Sequence, residues 1–574
     1  MQNGYPEMIV LGLNFFHANA AAAVFVDGKL LAAAEEERFN RVKFSAGLPV
    51  NAIRFCLEQS GVDFRDIDVI SYARNTNTRI VNQDQLHYQD RIYRIDSLYD
   101  RYRMNLKLIN FKETLASEFG VPFESLVFKL RETDHHRSHI RSGYHYSPFD
   151  RSLLLSCDAF GDFITIRTGI VEENQQIRLL SETQFPHSIG LFYTMVSQFL
   201  GFSEYGDESK VMGLSTFGYP EFTPVLRRIL SPEEGSFRLN LDYFDTRRGI
   251  GTTWSESAPD IGRVFTENLV SLLGQPRSTD EELGTRHQNL AASLQNLTEE
   301  IILGIVEDLC QQHASRNLVF TGGLAYNSLL NGHIVAQTEI ENLYVPPAPG
   351  NSGLAIGSAL EFLGENAPRE VSFRADLGPA FKTGEVATAL IAAGLKVQEV
   401  GDPASRAAHM LAEGKTVGWF QGRMEFGPRT LGNRCILMNP SCADSMRVKR
   451  RDYLKPFGIA ILDGEAAKYL REPAPSPFMS FMVQIRARHR QLFEGVLLNN
   501  YCRYQTVDTG NARFRALLEE FRRQTDLPFL INTSLNAEGT PIIASPRDLV
   551  GSLDVLALDG LAVEDLWVEN PRVS

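Results

Sequence analysis

Between Thr133 and Tyr146 the chain reads TDHHRSHIRSGYHY, and His135, His136, His139 and His145 place four of its 12 histidines in this one stretch. His135 and His139 are four apart, so on a helix both imidazoles lie on one face, where they can clasp a single cation. A pair supplies only two ligands. If Asp158 and a residue of the turn at Asn351–Ser352 face the same point, the set is complete; the alternative is a helical turn whose histidines cap, hydrogen-bond or solvate. Elsewhere, Gly322 and Gly323 follow a short apolar strand and precede a helix start, which lets backbone approach a nucleotide closely. Lys210, in a stretch read as a Gly-rich loop, would meet a phosphate or carboxylate, or only solvent.

A different chemistry marks the C-terminal third. GKTVGWFQGRMEFGPRTLGNR is a strand and then a loop with Arg423, Arg429 and Arg434 among glycines, with Glu425 inside it. Lys449, Arg503 and the stretch holding Ser534 and Asn536 follow. Guanidinium forks match phosphate oxygens in pairs, and glycine removes the bulk that keeps backbone N–H groups from a ligand. In an acidic protein such a cluster points to a small, multiply charged anion.

The elements that must hold these residues are legible in outline. MIVLGLN is a buried strand, and Asp27-Gly28 between two apolar runs is a hairpin signal. SLLLSCDAFGDFITIRTGIVEENQQIRLL repeats that plan about 145 residues later, which suggests an internal duplication of the actin and sugar-kinase kind, with phosphates and metal held between the halves. HQNLAASLQNLTEEIILGIVEDLCQQHA has helical periodicity throughout. Composition changes near residues 363–382, a domain boundary. Between the copies, Tyr88, Tyr93, Tyr99 and Tyr102 alternate with charge, as a pocket lining or as the edge of an amphipathic helix.

With 574 residues, 43% hydrophobic and 22% charged, the chain is globular and long enough for more than one core. A net charge of −13 argues against a nucleic-acid binder working by broad phosphate neutralisation. The six cysteines form no CxxC pair, so free buried thiols are expected. No signal-peptide pattern or membrane span is read, and the expected location is cytoplasmic.

The motif series resembles the O-carbamoyltransferases of the nodulation-protein-U and cephem-carbamoyltransferase family over nearly the whole length. It comprises LGLN with His17, AEEERFNRVKF, DHHRSH, Asp158, KVMGL, NLAASLQ, GGLAYN, PAPG, GRMEFGPRTLGNR, RYQTV and INTSLN with GTPI. The resemblance implies an α/β protein of two domains. Residues 1–368 would be an actin-like duplicated domain related to threonylcarbamoyl-transferring proteins, and residues 369–574 a YrdC-like α/β domain. It also implies an ATP-dependent enzyme of secondary metabolism or antibiotic biosynthesis. Carbamoyl phosphate and ATP would become carbamoyl adenylate at Arg423, Arg429, Lys449, Arg503, Ser534 and Asn536. The carbamoyl group would then pass to a hydroxyl of a small metabolite in the N-terminal domain.

There the resemblance implies a divalent metal, iron(II), on His135, His139, Asp158 and Asn351. Nucleotide would lie at Lys210, Gly322, Gly323 and Asn327, and His17 and Lys43 would line the transfer site, His17 taking the acceptor proton. The acceptor is unidentified, and Tyr88–Arg103 is the candidate for its pocket or lid. Neither nucleic acid nor membrane is expected as a partner; oligomeric state is open, a homodimer being one option. Two departures stand out: the family has aspartate where this chain has Asn351, and again where it has Ala18. The alternative reading is therefore a nucleotide-binding homologue with impaired turnover and a regulatory role.

Overall fold

The computed structural model describes residues 8–75, 108–172, 175–233, 235–245, 252–253, 258–441, 454–455 and 457–569. Lys449 and the Tyr88–Arg103 stretch lie outside the described residues. Contacts divide the chain into two units. The first holds residues 1–37, 44–326 and 337–373; the second holds residues 38–43, 327–336 and 374–574. Two short segments of the N-terminal sequence thus belong with the C-terminal unit.

In the first unit, β1 (Ile9–Asn14), β2 (Ala21–Val26) and β3 (Lys29–Glu35) form an antiparallel meander, and β4 (Val69–Ala73) and β5 (Lys129–Thr133) add parallel strands on the other side of β1. The sheet order is β3-β2-β1-β4-β5. The second sheet opens with β6 (Ser152–Gly161), β7 (Ile164–Val171) and β8 (Ile177–Gln184). After two short ribbons, β9 (Leu230–Glu233) with β10 (Ser236–Leu239) and β11 (Thr252–Thr253) with β12 (Asp260–Ile261), it is completed by β13 (Asn317–Thr321) and β14 (Asn342–Tyr344). Its order, β14-β13-β6-β7-β8, is that of the first sheet. The two hairpin turns match as well: Asp27 (φ 50°) with Gly28 (φ 75°), and Asp162 (φ 50°) with Phe163 (φ 64°), each hold the paired left-handed conformation of a two-residue turn. The expected duplication is present, in an actin-like plan.

Each fifth strand feeds a helix. His135–Tyr144 follows β5, and Gly353–Leu363 follows β14. These two helices pack on one another, and Gly357 permits it, since a Cβ there would lie 2.0 Å from the Ser138 carbonyl oxygen. Gly12 does the same for the first sheet, where a Cβ would meet the Ala355 oxygen at 1.9 Å. Close backbone approach at two glycines therefore sets both helix N-termini at one place.

The second unit is a nine-stranded mixed sheet ordered β15-β23-β22-β16-β17-β21-β18-β20-β19. Its strands are β15 (Val397–Glu399), β16 (Val417–Phe420), β17 (Arg434–Met438), β18 (Gly458–Leu462), β19 (Phe481–Gln484), β20 (Tyr501–Val507), β21 (Phe529–Ser534), β22 (Gly560–Val563) and β23 (Leu566–Glu569). On one face Leu437, Ala460, Leu462, Val507 and Leu530 pack under the helices Pro403–Ala412 and Ala512–Thr525. The five described cysteines are buried free thiols, and among the described residues no helix is long and apolar enough to cross a membrane.

Candidate active site

Asp134 starts the histidine helix. Its side chain accepts from the Arg137 amide at 2.8 Å, and Arg167 pairs with its other oxygen at 2.8 Å. Asp162, held in the β6–β7 turn, accepts from the His135 amide at 3.0 Å. With the first turn so fixed, the Nε2 atoms of His135 and His139 lie 3.2 Å apart, and Asp158 Oδ2 lies 3.1 Å from His139 Nε2 and 3.7 Å from His135 Nε2. Asp158 belongs to β6, at the point where the register with β7 shifts. Burial works against the charged carboxylate, yet the hydrogen bonds from the two histidines hold Asp158 well below the usual carboxylate range. Burial also lowers both imidazoles; in His135 the Asp158 contact and charge outweigh it and the net shift is upward, while His139 stays lowered.

Asn351 reaches the same place from the other half of the duplicated plan. Its Nδ2 donates to His17 Nδ1 at 2.8 Å, and the ring centroids of His17 and His135 are 6.0 Å apart. The Oδ1 of Asn351 is buried with no hydrogen-bond partner. Burial, reinforced by the neighbouring His135, lowers the His17 pKa to about 3. Two imidazoles, a carboxylate and an orphaned carbonyl oxygen are a donor set suited to a divalent cation, and the 2-His-1-carboxylate portion is the kind used for iron(II). His136 is excluded from that role, since its Nδ1 meets the Ser156 hydroxyl and its Nε2 meets the Ile164 carbonyl, both at 2.9 Å.

Two glycines make room for the cluster. A Cβ at Gly161 would lie 2.1 Å from His135 Cδ2, and one at Gly323 would lie 2.9 Å from Asp158 Oδ1. Gly322, at φ 86°, passes so close to Cys157 that a Cβ would meet its carbonyl oxygen at 2.2 Å. Gly161→Ala is therefore expected to displace the His135 ring, costing about 1–3 kcal/mol of stability and weakening zinc uptake. Chemical denaturation and titration calorimetry would read both; an unchanged affinity would show that the ring tolerates the methyl.

Not every expected residue joins this cluster. Lys210 sits on the helix Glu208–Ser215, not in a loop, and pairs with Asp207 at 2.8 Å. The Gly-rich reading failed there because Asp207-Glu208 begins a helix in which Gly213 is packed. Lys43 and Asn327 belong to the second unit, where the Asn327 side chain accepts from the Leu330 amide at 3.0 Å and so caps the helix Ser328–Gln337.

In the second unit, strand register puts Asn532, Gly458 and Arg503 in one row, with Ser534 on the same face. That face is apolar under the helices and becomes polar at this end, where Asn532 donates to Gln505 at 3.3 Å and Gln505 to the Leu431 carbonyl at 2.9 Å. The Ser534 hydroxyl donates to Asn536 Oδ1 at 2.6 Å. The arginine loop, which contains the half-buried Arg429, is built differently from expectation. Its backbone amides at Leu431, Asn433 and Arg434 all donate to Glu425 Oε1, at 2.8, 2.7 and 3.1 Å, so these N–H groups are used within the protein. Arg434 is fully buried, stacked 3.6 Å over Phe420 and donating to the carbonyls of Gln421, Gly422, Pro379 and Asn433. Arg423 donates to the carbonyls of Leu377 and Gly378. Glu425, which the sequence shows only as a lone carboxylate among glycines and arginines with no role of its own, is the hub of this loop.

Comparison with known proteins agrees with this two-part construction. The model described as carbamoyltransferase N-terminus matches residues 9–360, and that described as carbamoyltransferase C-terminus matches residues 408–570. An uncharacterized protein of Synechocystis is 32% identical, with 97% of this chain and 96% of that protein covered. Nodulation protein NolNO of Sinorhizobium fredii is 32% identical over 98% of this chain and 80% of its own length. Nodulation protein U of Bradyrhizobium diazoefficiens is 26% identical, covering 93% of this chain and 92% of its own. The chain belongs to the carbamoyltransferase family.

Proposed function

We propose that the protein is an ATP-dependent O-carbamoyltransferase acting on a hydroxyl of a small secondary metabolite. Carbamoyl phosphate is hydrolysed in the C-terminal unit to carbamate and phosphate; carbamate attacks the α-phosphorus of ATP, giving carbamoyl adenylate and pyrophosphate. In the N-terminal unit an acceptor oxygen attacks the carbamoyl carbon, its proton is lost, and AMP leaves. The observation that carries the reading is the convergence of His135, His139 and Asp158, with Asn351 bonded to the neighbouring His17, in a chain of this family.

Iron(II) is the ion proposed for His135, His139, Asp158 and Asn351; bound there, it would neutralise charge on the adenylate phosphate and ease departure of AMP. The residues have their own tasks. The N-termini of the helices His135–Tyr144 and Gly353–Leu363 favour an anionic group beside the cluster. Gly323 keeps a side chain away from Asp158, Gly322 passes against the Cys157 backbone, and the pair leaves backbone to line the site. In the C-terminal unit, Arg429 and Arg503 are proposed to hold phosphate oxygens, while Arg423 and Arg434 brace the loop that carries Arg429.

Purified protein is expected to release pyrophosphate when ATP and carbamoyl phosphate are both present, and to release AMP, with a carbamoylated product by mass spectrometry, only when an acceptor from a panel of hydroxylated metabolites is added as well. AMP release with no dependence on carbamoyl phosphate would overturn the proposal. Complete inactivity across acceptors, together with retained ATP binding, would instead favour the regulatory homologue suggested by Asn351.

A further inference from the structure

We infer that Asn351 fixes His17 as the tautomer with its proton on Nε2, so that His17 offers the site a hydrogen-bond donor and not a proton-accepting lone pair. The inference rests on the proposed transfer reaction for its meaning, although its geometry does not depend on it. An amide nitrogen can only donate, so the 2.8 Å contact from Asn351 Nδ2 requires a bare, accepting Nδ1 on His17. A neutral imidazole has one proton, and it must then sit on Nε2.

The orientation of the amide is what matters, and the surroundings select it. Turning the amide over would bring Oδ1 to His17 and leave an NH2 group where Oδ1 now lies buried without a partner. An NH2 group beside a cation would be repelled, whereas the carbonyl oxygen is a ligand. One side chain would then have two ends with two tasks: the nitrogen donates to His17, and the buried oxygen, which has no hydrogen-bond partner, is left for a cation bound there. A carboxylate at this position would act in the opposite sense on His17, since it can only accept. It would draw the proton to Nδ1 and expose a basic Nε2.

The consequence is a division of labour. His17 donates from Nε2, suited to an oxygen that gains negative charge, such as the carbamoyl carbonyl as the acceptor attacks or the phosphate as AMP departs. The proton of the acceptor hydroxyl is taken by some other group. This revises the expectation that His17 receives it.

The test is the 15N spectrum of the full-length, histidine-labelled protein, with the His17 signals assigned by their loss in His17→Gln. In chelator-treated protein, and again after zinc is added, an unprotonated Nδ1 and a protonated Nε2 are expected. In Asn351→Asp the pattern inverts, with the proton on Nδ1. A protonated Nδ1 in the wild-type protein overturns the inference outright, and an Asn351→Asp spectrum unchanged from wild type overturns the role given to Asn351. Should the aspartate variant misfold, the wild-type spectrum decides. AMP release measured on the same samples separates the two proposals: a correct tautomer without carbamoyl transfer refutes the function and spares the tautomer, and active enzyme with the proton on Nδ1 does the reverse.

Discussion

His139→Ala is expected to lower acceptor-dependent AMP release by more than the ~10–100-fold that loss of a group merely supporting a metal ligand costs. Pyrophosphate release from ATP and carbamoyl phosphate should persist, because adenylate formation is assigned to the other unit. His139 is wholly buried, and its Nε2 is the atom from which both His135 Nε2 and Asp158 Oδ2 lie within 3.2 Å. Its removal takes away one ligand and one of the two imidazoles that keep Asp158 ionised. Asp158 retains His135, so the variant is expected to fold, with circular dichroism as the check. Loss of pyrophosphate release along with AMP would show that the two half-reactions are not divided as proposed, and full activity would remove the metal cluster from the mechanism.

Acid should unfold the protein earlier than its carboxylates alone would require. His136 and His145 are buried at 0% and 5% exposure. Burial, ahead of the charges of His135 and His139, holds His136 well below its ordinary range; burial, ahead of Arg141 and Arg369, lowers His145 to about 4. Unfolding frees both to take up protons below about pH 6.5. The unfolded state then binds more protons than the native one, so stability falls as pH falls. Between about pH 6 and the native pKa values the slope approaches about 2.7 kcal/mol per pH unit for the two together. Urea midpoints across this range would measure it. His145→Gln should remove about half of the slope, and a flat profile would contradict the neutral, buried state of these rings.

The local readings from sequence that the structure bears out share one cause: they depend on near neighbours. The i,i+4 spacing of His135 and His139 needs only a helix, Asp27-Gly28 needs only a left-handed turn, and the glycine pair at 322–323 needs only a strand before it. The duplication was legible because a strand and hairpin recur in the same order, and the whole-length motif series pointed to the family that the comparisons show.

What failed or was missed depends on what a side chain meets far along the chain. Lys210 read as a loop cation because its glycine neighbours suggested a loop, while burial of the helix against Thr285–His313 decided otherwise. The arginines of GRMEFGPRTLGNR read as one phosphate site, because sequence records charge and not direction. Folding turned Arg423 and Arg434 onto backbone carbonyls and closed the loop's amides on Glu425.

The sequence by itself determined the strands, the duplicated order, the histidine pair and the family, all set by local conformation or by the order of motifs. Only the tertiary structure decided that Asn351, 334 residues from His17, points its nitrogen at that ring and leaves its oxygen buried. The reason is geometric: two equivalent helices from two copies of one plan meet at glycines, and their first residues become neighbours that no spacing along the chain records.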